Sequence, residues 1–297
     1  MSITAAVYCW EALYSGGQPV IDNLKASGFT TVLAWSVHVS ATNADLTLND
    51  TVIVTDGTYV GDPAWPGLLA QLKTGTTSVN RLLFSVGSGG GPTDFGNIQQ
   101  LINRFGTGPT SPLYKNFAAL LSVIPSIDGI DFDDEDSYNQ DTVVQFAQML
   151  AAIGYKQITF CPYTDMQFWA GCLQALQNSN PGLVTAYNLQ CYAGGSINVY
   201  EIPQWIASIK PILGDAAASF ILPGLWCRNG TGCTSGECPD QMEVQYKAWS
   251  LLGIGGGFIW RYDDILSCES SSTCSGNPMT PAAYANAILS GVMSEAV

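Results

Sequence analysis

Histidine and basic residues are scarce in this chain, and no apolar run is long enough to form a membrane helix. One His and ten Lys and Arg residues stand against 24 Asp and Glu residues, for a formal net charge of −14. Such a polyanion repels phosphate, which excludes nucleic acid and anionic lipid as partners. The longest apolar run, around 216–226, contains Pro223 and Gly224 and falls short of the ~18 residues of a membrane span.

The lone histidine, His38, also limits the chemistry that the chain can carry. It has no recognisable partner pattern, and the sequence contains no G-x-S-x-G motif, so neither a Ser-His-Asp triad nor an esterase elbow is expected. A zinc site is not expected either, because such sites use paired C-x2-C spacings with histidine ligands.

The chain is long and apolar enough to build a sizeable core. It has 297 residues, of which 47% are hydrophobic, and this composition excludes intrinsic disorder. No linker, charge block or low-complexity segment divides it. Residues 1–297 are therefore interpreted as one domain.

Cysteine is abundant, with nine residues. Five lie in Gly/Ser/Thr-rich stretches of the last third, namely Cys227, Cys233, Cys238, Cys268 and Cys274. Loop cysteines at such spacing are typical of disulfides and an oxidising compartment, whereas Cys9, Cys161 and Cys191 lie in apolar runs and are expected to be buried thiols. The N-terminus MSITAAVYCW lacks the features of a signal peptide, so the chain is a mature domain or an intracellular protein. The cysteines favour secretion.

Short β-branched or apolar runs alternate with helix-like stretches along the whole chain. The predicted strands are Ile3–Tyr8, Thr30–Val37, Arg81–Val86, Ile127–Asp133, Gln157–Pro162, Val184–Tyr192, Ser219–Trp226 and Gly257–Tyr262. The predicted helices are Val20–Ala26, Trp65–Lys73, Tyr114–Val123, Thr142–Ile153, Met166–Gln177, Ile202–Ile212, Gln241–Leu252 and Pro281–Val292. Eight such units predict an α/β fold, the (β/α)8 TIM barrel. A doubly wound open sheet is the alternative, but no Gly-rich phosphate loop follows the first strand.

The fourth predicted strand ends in the acidic run DGIDFDDED. Because strand side chains alternate between faces, Asp131, Asp133 and Glu135 share one face, while Ile130 and Phe132 share the other. The apolar face suits packing against outer helices, so the three carboxyl groups point into the barrel. Carboxyl groups this close cannot all ionise, and a protonated Glu135 at the barrel mouth is what a glycosidase needs.

Two other interpretations of the acidic run remain open. A calcium loop begins similarly, but Asp136 and Thr142 occupy the positions where that loop has Gly and Glu. A solvated acidic turn is the other, although it leaves the interleaved Ile and Phe unexplained.

The sequence D-G-I-D-F-D-D-E at Asp128–Glu135 resembles the D-x-x-D-x-D-x-E signature of glycoside hydrolase family 18, the chitinases and related endo-β-N-acetylglucosaminidases. Phe84–Ser88 resembles the family's S-x-G-G motif, with Ser88 in place of the second Gly. Tyr187–Tyr192 resembles its sixth-strand pattern, Gly256–Trp260 its eighth-strand end, and Tyr8 its first-strand tyrosine. The likeness spans nearly the whole chain in order.

The resemblance implies a role for each acidic residue in substrate-assisted hydrolysis. Glu135 would protonate the glycosidic oxygen, Asp133 would bond the acetamide N–H of the substrate, and Asp131 would tune the pKa of Asp133. Tyr192 would donate to the acetamide oxygen. These four are the predicted catalytic residues.

The same resemblance implies binding and structural roles. Trp260 would form an apolar floor under the sugar, Gln190 would help to hold the sugar, and Tyr8 would line the pocket. Asp128 and Gly129 are expected to be structural, and no metal or cofactor is implied.

The implied function is endo-hydrolysis of a polysaccharide or oligosaccharide containing N-acetylglucosamine, by a monomer. Asp134 resembles the acidic residue of some bacterial endo-β-N-acetylglucosaminidases that cut N-glycan cores, whereas Gln190 and Tyr192 favour short chitinases of the plant and fungal type. About 30 residues separate the last two strands, too few for the α+β insertion that deepens the cleft of some chitinases. A non-catalytic carbohydrate-binding protein is the third possibility, although such relatives typically lose the catalytic Glu.

Overall fold

The computed structural model describes residues 3–90, 93–274 and 278–293, and these form a closed barrel of eight parallel strands. The strands of the described chain are β1 Thr4–Cys9, β2 Thr31–Val39, β3 Leu46–Leu48, β4 Thr51–Thr55, β5 Thr58–Tyr59, β6 Arg81–Gly87, β7 Gly129–Asp133, β8 Gln157–Phe160, β9 Val184–Gln190, β10 Ile221–Trp226 and β11 Gly256–Trp260. All but β3–β5 belong to the barrel, which closes where β1 pairs with both β2 and β11. The predicted (β/α)8 fold is confirmed.

Helices surround the barrel between successive strands. They are α1 Glu11–Ser15, α2 Gly17–Ala26, α3 Trp65–Gln71, α4 Asp94–Phe105, α5 Pro112–Val123, α6 Gln140–Ile153, α7 Met166–Ser179, α8 Asn198–Leu213, α9 Pro239–Ser250, α10 Tyr262–Cys268 and α11 Pro281–Met293. Side chains at several N-termini accept backbone N–H groups, as Ser111 does for α5 and Asn139 for α6. Each predicted helix overlaps one of these.

The sequence patterns miss the short helices α1 and α10, the helix α4 and an antiparallel extension made by β3, β4 and β5. This extension pairs through β3 with the end of β2. Its strands have two to five residues, too few for a reliable alternation of apolar and polar side chains. Helix α4 follows a glycine-rich stretch, which favours interpretation as a turn.

The core has two layers, separated by the sheet. Outward side chains pack under the helices, where the ring of Phe132 stacks on Phe146 of α6 with centroids 5.0 Å apart. Inward side chains form a smaller cluster that includes Tyr8, Cys161 and Phe258. The predicted alternation along β7 is therefore confirmed, and it directs Asp131 and Asp133 into the barrel.

Two disulfides link the loop after β10 to the segment after β11. They join Cys233 to Cys268 and Cys238 to Cys274. The fifth loop cysteine, Cys227, is a buried thiol, as are Cys9, Cys161, Cys172 and Cys191. Loop disulfides and buried strand thiols are thus both confirmed. Within the described part of the chain, no helix has the length and apolar character needed to cross a bilayer.

Candidate active site

A cavity of about 350 Å³ opens at the carboxyl ends of the barrel strands. Asp133, Glu135 and Gln190 supply its acidic and amide groups. Its aromatic walls are Trp35, Tyr163, Tyr192, Trp226 and Trp260. In α/β barrels the strand carboxyl ends carry the chemistry, and this cavity combines apolar walls with a few convergent polar groups.

Asp131 lies beneath the cavity with no exposed surface. Its Oδ2 accepts hydrogen bonds from the hydroxyls of Tyr8 at 2.9 Å and Ser85 at 2.7 Å. Its Oδ1 accepts from the Thr159 hydroxyl and, at 2.9 Å, from the Asn188 amide. Burial raises the pKa of Asp131, and these four donors oppose that rise. They give the buried carboxylate the hydrogen bonds that its ionised form requires.

Asp133 lies one layer above Asp131 and lines the cavity, with 3% of its surface exposed. Its Oδ2 accepts from the Trp35 indole N–H at 3.1 Å, and its Oδ1 accepts from the Gln190 amide at 3.1 Å. Burial raises the pKa of Asp133 well above its ordinary value, and the charges of Glu135 and Asp131 raise it further. Both effects make it costly for Asp133 to be ionised.

Glu135 follows the last residue of β7 and reaches the mouth of the cavity. Its Oε1 accepts from the Gln190 amide at 2.9 Å, the same amide nitrogen that donates to Asp133 Oδ1. Burial raises the pKa of Glu135, and the hydrogen bond from Gln190 opposes that rise. A carboxyl group with a raised pKa beside a second acid has the properties of a general acid. Gln190, expected to hold a sugar, lines the cavity and bridges the two carboxyl groups.

Gly89 leaves the space that Glu135 occupies. A methyl group at this position would overlap Glu135 Oε2. We expect Gly89→Ala to displace the Glu135 carboxyl group and, for the hydrolysis that the motif resemblance implies, to lower kcat by about 100-fold, because misplacing a catalytic group by about 1 Å has that effect. Hydrolysis rates on a chito-oligosaccharide, with melting curves to verify folding, would measure this.

Gly67→Ala is the matched control for that substitution. Gly67 lies on α3 with open space where its methyl group would go, so this variant should keep wild-type kcat. Wild-type kcat in Gly89→Ala would show that Glu135 does not need the position it has here.

Three aromatic residues pack together along the cavity wall. Tyr192 stacks on Trp260 with centroids 5.9 Å apart and planes 26° apart, and Trp35 meets Trp260 edge-on at 4.6 Å. Burial raises the pKa of Tyr192 well above its ordinary value, so its hydroxyl keeps its proton and remains a donor at neutral pH. An apolar wall with a hydroxyl donor suits a sugar ring that carries polar substituents.

Tyr8 does not line the cavity, contrary to expectation. It has no exposed surface and lies in the barrel interior, where its hydroxyl donates to Asp131. Asp128 lies just before β7, and its Oδ2 accepts from Lys73 Nζ and from the Leu82 backbone N–H, both at 2.8 Å. Gly129 lets β7 pass close to β8, since a side chain there would overlap the Gln157 carbonyl.

Asp134, which the strand pattern places facing outward toward either the loop or the substrate rim, contacts the loop. It is buried, and its carboxylate accepts the backbone N–H groups of Asp136, Ser137 and Tyr138. Burial raises the pKa of Asp134 to about 6. The acidic residue that suggested an N-glycan substrate therefore organises the loop after β7. Asp136, by contrast, is exposed.

His38 lies in a hydrogen-bonded chain that has the connectivity of a catalytic triad. Its Nδ1 is 2.7 Å from Asp94 Oδ2, and its Nε2 is 3.0 Å from Ser36 Oγ. Ser36 is 1% exposed, so a substrate carbonyl cannot reach its hydroxyl. This series of hydrogen bonds connects α4 to the end of β2. Among residues 3–90, 93–274 and 278–293, no cluster of His, Cys, Asp and Glu has the arrangement of a metal site.

Solved structures with this architecture are mainly chitinases. A mutant of active domain 2 of the Pyrococcus furiosus chitinase, complexed with chito-oligosaccharides, matches with a TM-score of 0.68 and 11% identity over 100% of this chain and 97% of that one. The Ostrinia furnacalis group IV chitinase, in complex with allosamidin, matches with a TM-score of 0.61 and 12% identity over 99% of both chains. The fold is that of the chitinase barrels.

A chitinase-like agglutinin from Robinia pseudoacacia has the same fold, with a TM-score of 0.57 and 13% identity over 95% of this chain and 98% of that one. No protein-family model and no curated protein matches the sequence. At these identities the likeness establishes the architecture, and the chemistry has to be argued from the site itself.

Four residues of the site escape the sequence patterns: Trp35, Tyr163, Asn188 and Trp226. Asn188 shares strand parity with Gln190, a signal that could have revealed it. Trp35 and Trp226 lie near the carboxyl ends of predicted strands, where a barrel places its site. Tyr163 directly follows the predicted strand Gln157–Pro162 and has the same signal.

Proposed function

We propose that the chain is a secreted, monomeric, single-domain retaining glycoside hydrolase. It cleaves internal β-1,4 bonds of glycans that contain N-acetylglucosamine, with chitin and chito-oligosaccharides as its substrate class. The observation that carries this proposal is the pair of carboxyl groups of Asp133 and Glu135, bridged by the Gln190 amide in an aromatic cavity, with Asp131 buried directly below. The motif resemblance and the chitinase neighbours agree with it.

In the first step, the carbonyl oxygen of the substrate's 2-acetamido group attacks the anomeric carbon. The glycosidic C–O bond breaks, and the proton of Glu135 passes to the departing oxygen. This substrate assistance is the route of family 18, an exception among retaining glycosidases that use a carboxylate nucleophile. Asp133 accepts the acetamide N–H and stabilises the positive charge of the oxazolinium ring, and the Tyr192 hydroxyl orients the acetamide oxygen.

In the second step, Glu135 is a carboxylate and acts as the general base. It takes a proton from water, the water oxygen bonds to the anomeric carbon, and the acetamide is restored. Two displacements give net retention, and no external cofactor takes part. Trp260 supports the apolar face of the reacting sugar throughout.

The test compares chitohexaose with its fully deacetylated counterpart, using mass spectrometry to weigh the products. We expect di- to tetrasaccharides from chitohexaose only, because the deacetylated sugar lacks the internal nucleophile. Proton NMR at early times should show the β anomer first.

Other outcomes would select among the alternatives. An intact chitohexaose with cleavage of a high-mannose glycoprotein would replace the proposal with an endo-β-N-acetylglucosaminidase. Binding of both ligands without turnover would replace it with a carbohydrate-binding protein. Equal cleavage of the deacetylated sugar would refute the substrate-assisted mechanism.

A further inference from the structure

The indole of Trp35 donates its N–H to the acid expected to orient the substrate's acetamide group. Its Nε1 lies 3.1 Å from Asp133 Oδ2, although 98 residues separate the two along the chain. Trp35 also lines the cavity and packs edge-on against Trp260. It is thus part of the wall and a hydrogen-bond donor at once.

The orientation of Asp133 needs an explanation, because it has an acidic neighbour on either side along the same strand face, Asp131 and Glu135. Both oxygens of Asp131 already accept two hydrogen bonds each, which fills the roughly four acceptor sites of a carboxylate. Asp133 instead accepts on its Oδ1 from the Gln190 amide, which also donates to Glu135. Its Oδ2 is left for Trp35.

The backbone beside Trp35 is anchored on both sides of β2. The Ser36 backbone N–H donates to Asn49 Oδ1 at 3.3 Å, and the Asn49 N–H donates to the Ser36 carbonyl at 3.0 Å. The Ser36 hydroxyl is bonded to His38, which is bonded to Asp94 of α4. An indole on such a support presents its N–H at a fixed place.

We propose that Trp35 is a positioning residue whose indole N–H holds the Asp133 carboxyl toward Glu135 and the cavity, in the orientation that receives the substrate's acetamide N–H. This inference rests on the proposed function. It gives the enzyme a preorganised acceptor, so that the substrate does not have to turn Asp133 away from Asp131 before reaction.

The test is Trp35→Phe, which keeps an aromatic wall and removes only the donor. A hydrogen bond to an ionised acid contributes enough to predict a fall in kcat of about tenfold, with KM changing less than threefold. Since the lost bond stabilised the carboxylate, the pKa of Asp133 should rise. The limbs of the pH–rate profile belong to the interacting pair of Asp133 and Glu135, and the acidic limb should move to higher pH.

The titratable groups that face Asp133 come from several elements, and they are the same in the wild type and in Trp35→Phe. They are Asp131, Glu135, Tyr8, Cys161 and Tyr192. The matched control is Trp249→Phe on α9, which loses an indole hydrogen bond to the Val199 carbonyl outside the cavity. It should lose some stability and keep the wild-type profile.

If Trp35→Phe has the pH–rate profile and kcat of the wild type, the proposal is overturned. If kcat falls only in Trp35→Ala, Trp35 acts only as part of the cavity wall, which also overturns the proposal. A second readout does not depend on turnover. Carbon-13 NMR of aspartate-labelled protein, with Asp133 assigned through Asp133→Asn, should show its titration shifted upward in Trp35→Phe. An unshifted titration overturns the inference, whereas an inactive wild type with a shifted titration overturns only the proposed function.

Discussion

The Glu135→Gln variant is expected to lose about three orders of magnitude in kcat on chitohexaose while keeping its affinity for the sugar. Glutamine has nearly the shape of glutamic acid and can still bond the Gln190 amide, but it has no proton to give to the departing oxygen. General acid catalysis contributes about 10²- to 10⁴-fold, which sets the size of the loss. Stopped-flow or mass-spectrometric rates, together with titration of the intrinsic tryptophan fluorescence, measure both quantities.

Asp136→Asn is the control, because it makes the same acid-to-amide change one residue away on an exposed side chain. It should keep kcat within about twofold of wild type, because the charge of Asp136 is the smallest of the causes that act on the pKa of Glu135. A loss below tenfold in Glu135→Gln would remove Glu135 as the acid. Equal losses in both variants would point to the local charge instead of to a proton donor.

The Asp133→Asn variant is expected to lose about 100-fold in kcat and to gain stability at neutral pH. The loss follows because an amide cannot carry the negative charge that stabilises the oxazolinium ring. The gain follows because burial beside Asp131 and Glu135 raises the pKa of Asp133 well above its ordinary value. Ionisation of a carboxyl group in this position raises the free energy of the folded state.

The pH dependence of that gain has a definite sign. In the unfolded chain Asp133 ionises near an ordinary pKa of about 3.9. Its folded pKa is higher, so its contribution to stability is fully present below pH 3.9 and is lost as pH rises through the folded pKa. Asparagine does not titrate, so the difference in melting temperature between variant and wild type should be largest at pH 7 and shrink toward pH 3.5.

Thermal melts of wild type, Asp133→Asn and Asp136→Asn at the two pH values test this prediction. Asp136→Asn removes the same charge from an exposed position whose pKa is raised less than that of Asp133, so it should show a smaller difference at pH 7. If Asp133→Asn were less stable than wild type at pH 7, the cost of leaving donors such as the Trp35 indole without an acceptor would exceed the stability gained by removing a buried charge. A gain independent of pH would exclude ionisation as its cause.

The local periodicity of the sequence predicts most of the fold. Alternation of apolar runs with helix-like stretches placed eight strands and eight helices, and each overlaps an observed element. The orientation of side chains on β7 is predicted in the same way, since a period of two directs Asp131 and Asp133 inward and Phe132 toward α6. Elements too short to show a periodic pattern, such as β3–β5, could not be predicted in this way.

Within the candidate site, the sequence by itself determined which residue types stand on one face of β7 and which lie at strand ends. Those properties depend on neighbours a few positions apart. Only the tertiary structure decided that Trp35 donates to Asp133, that Gln190 bridges two acids, and that Asp134 organises a loop. The partners of Asp133 lie 98 and 57 residues away, and their distances depend on barrel closure, which no local pattern encodes. The disulfide pairing has the same cause, because residues 35 and 36 positions apart meet only when the barrel brings their loops together.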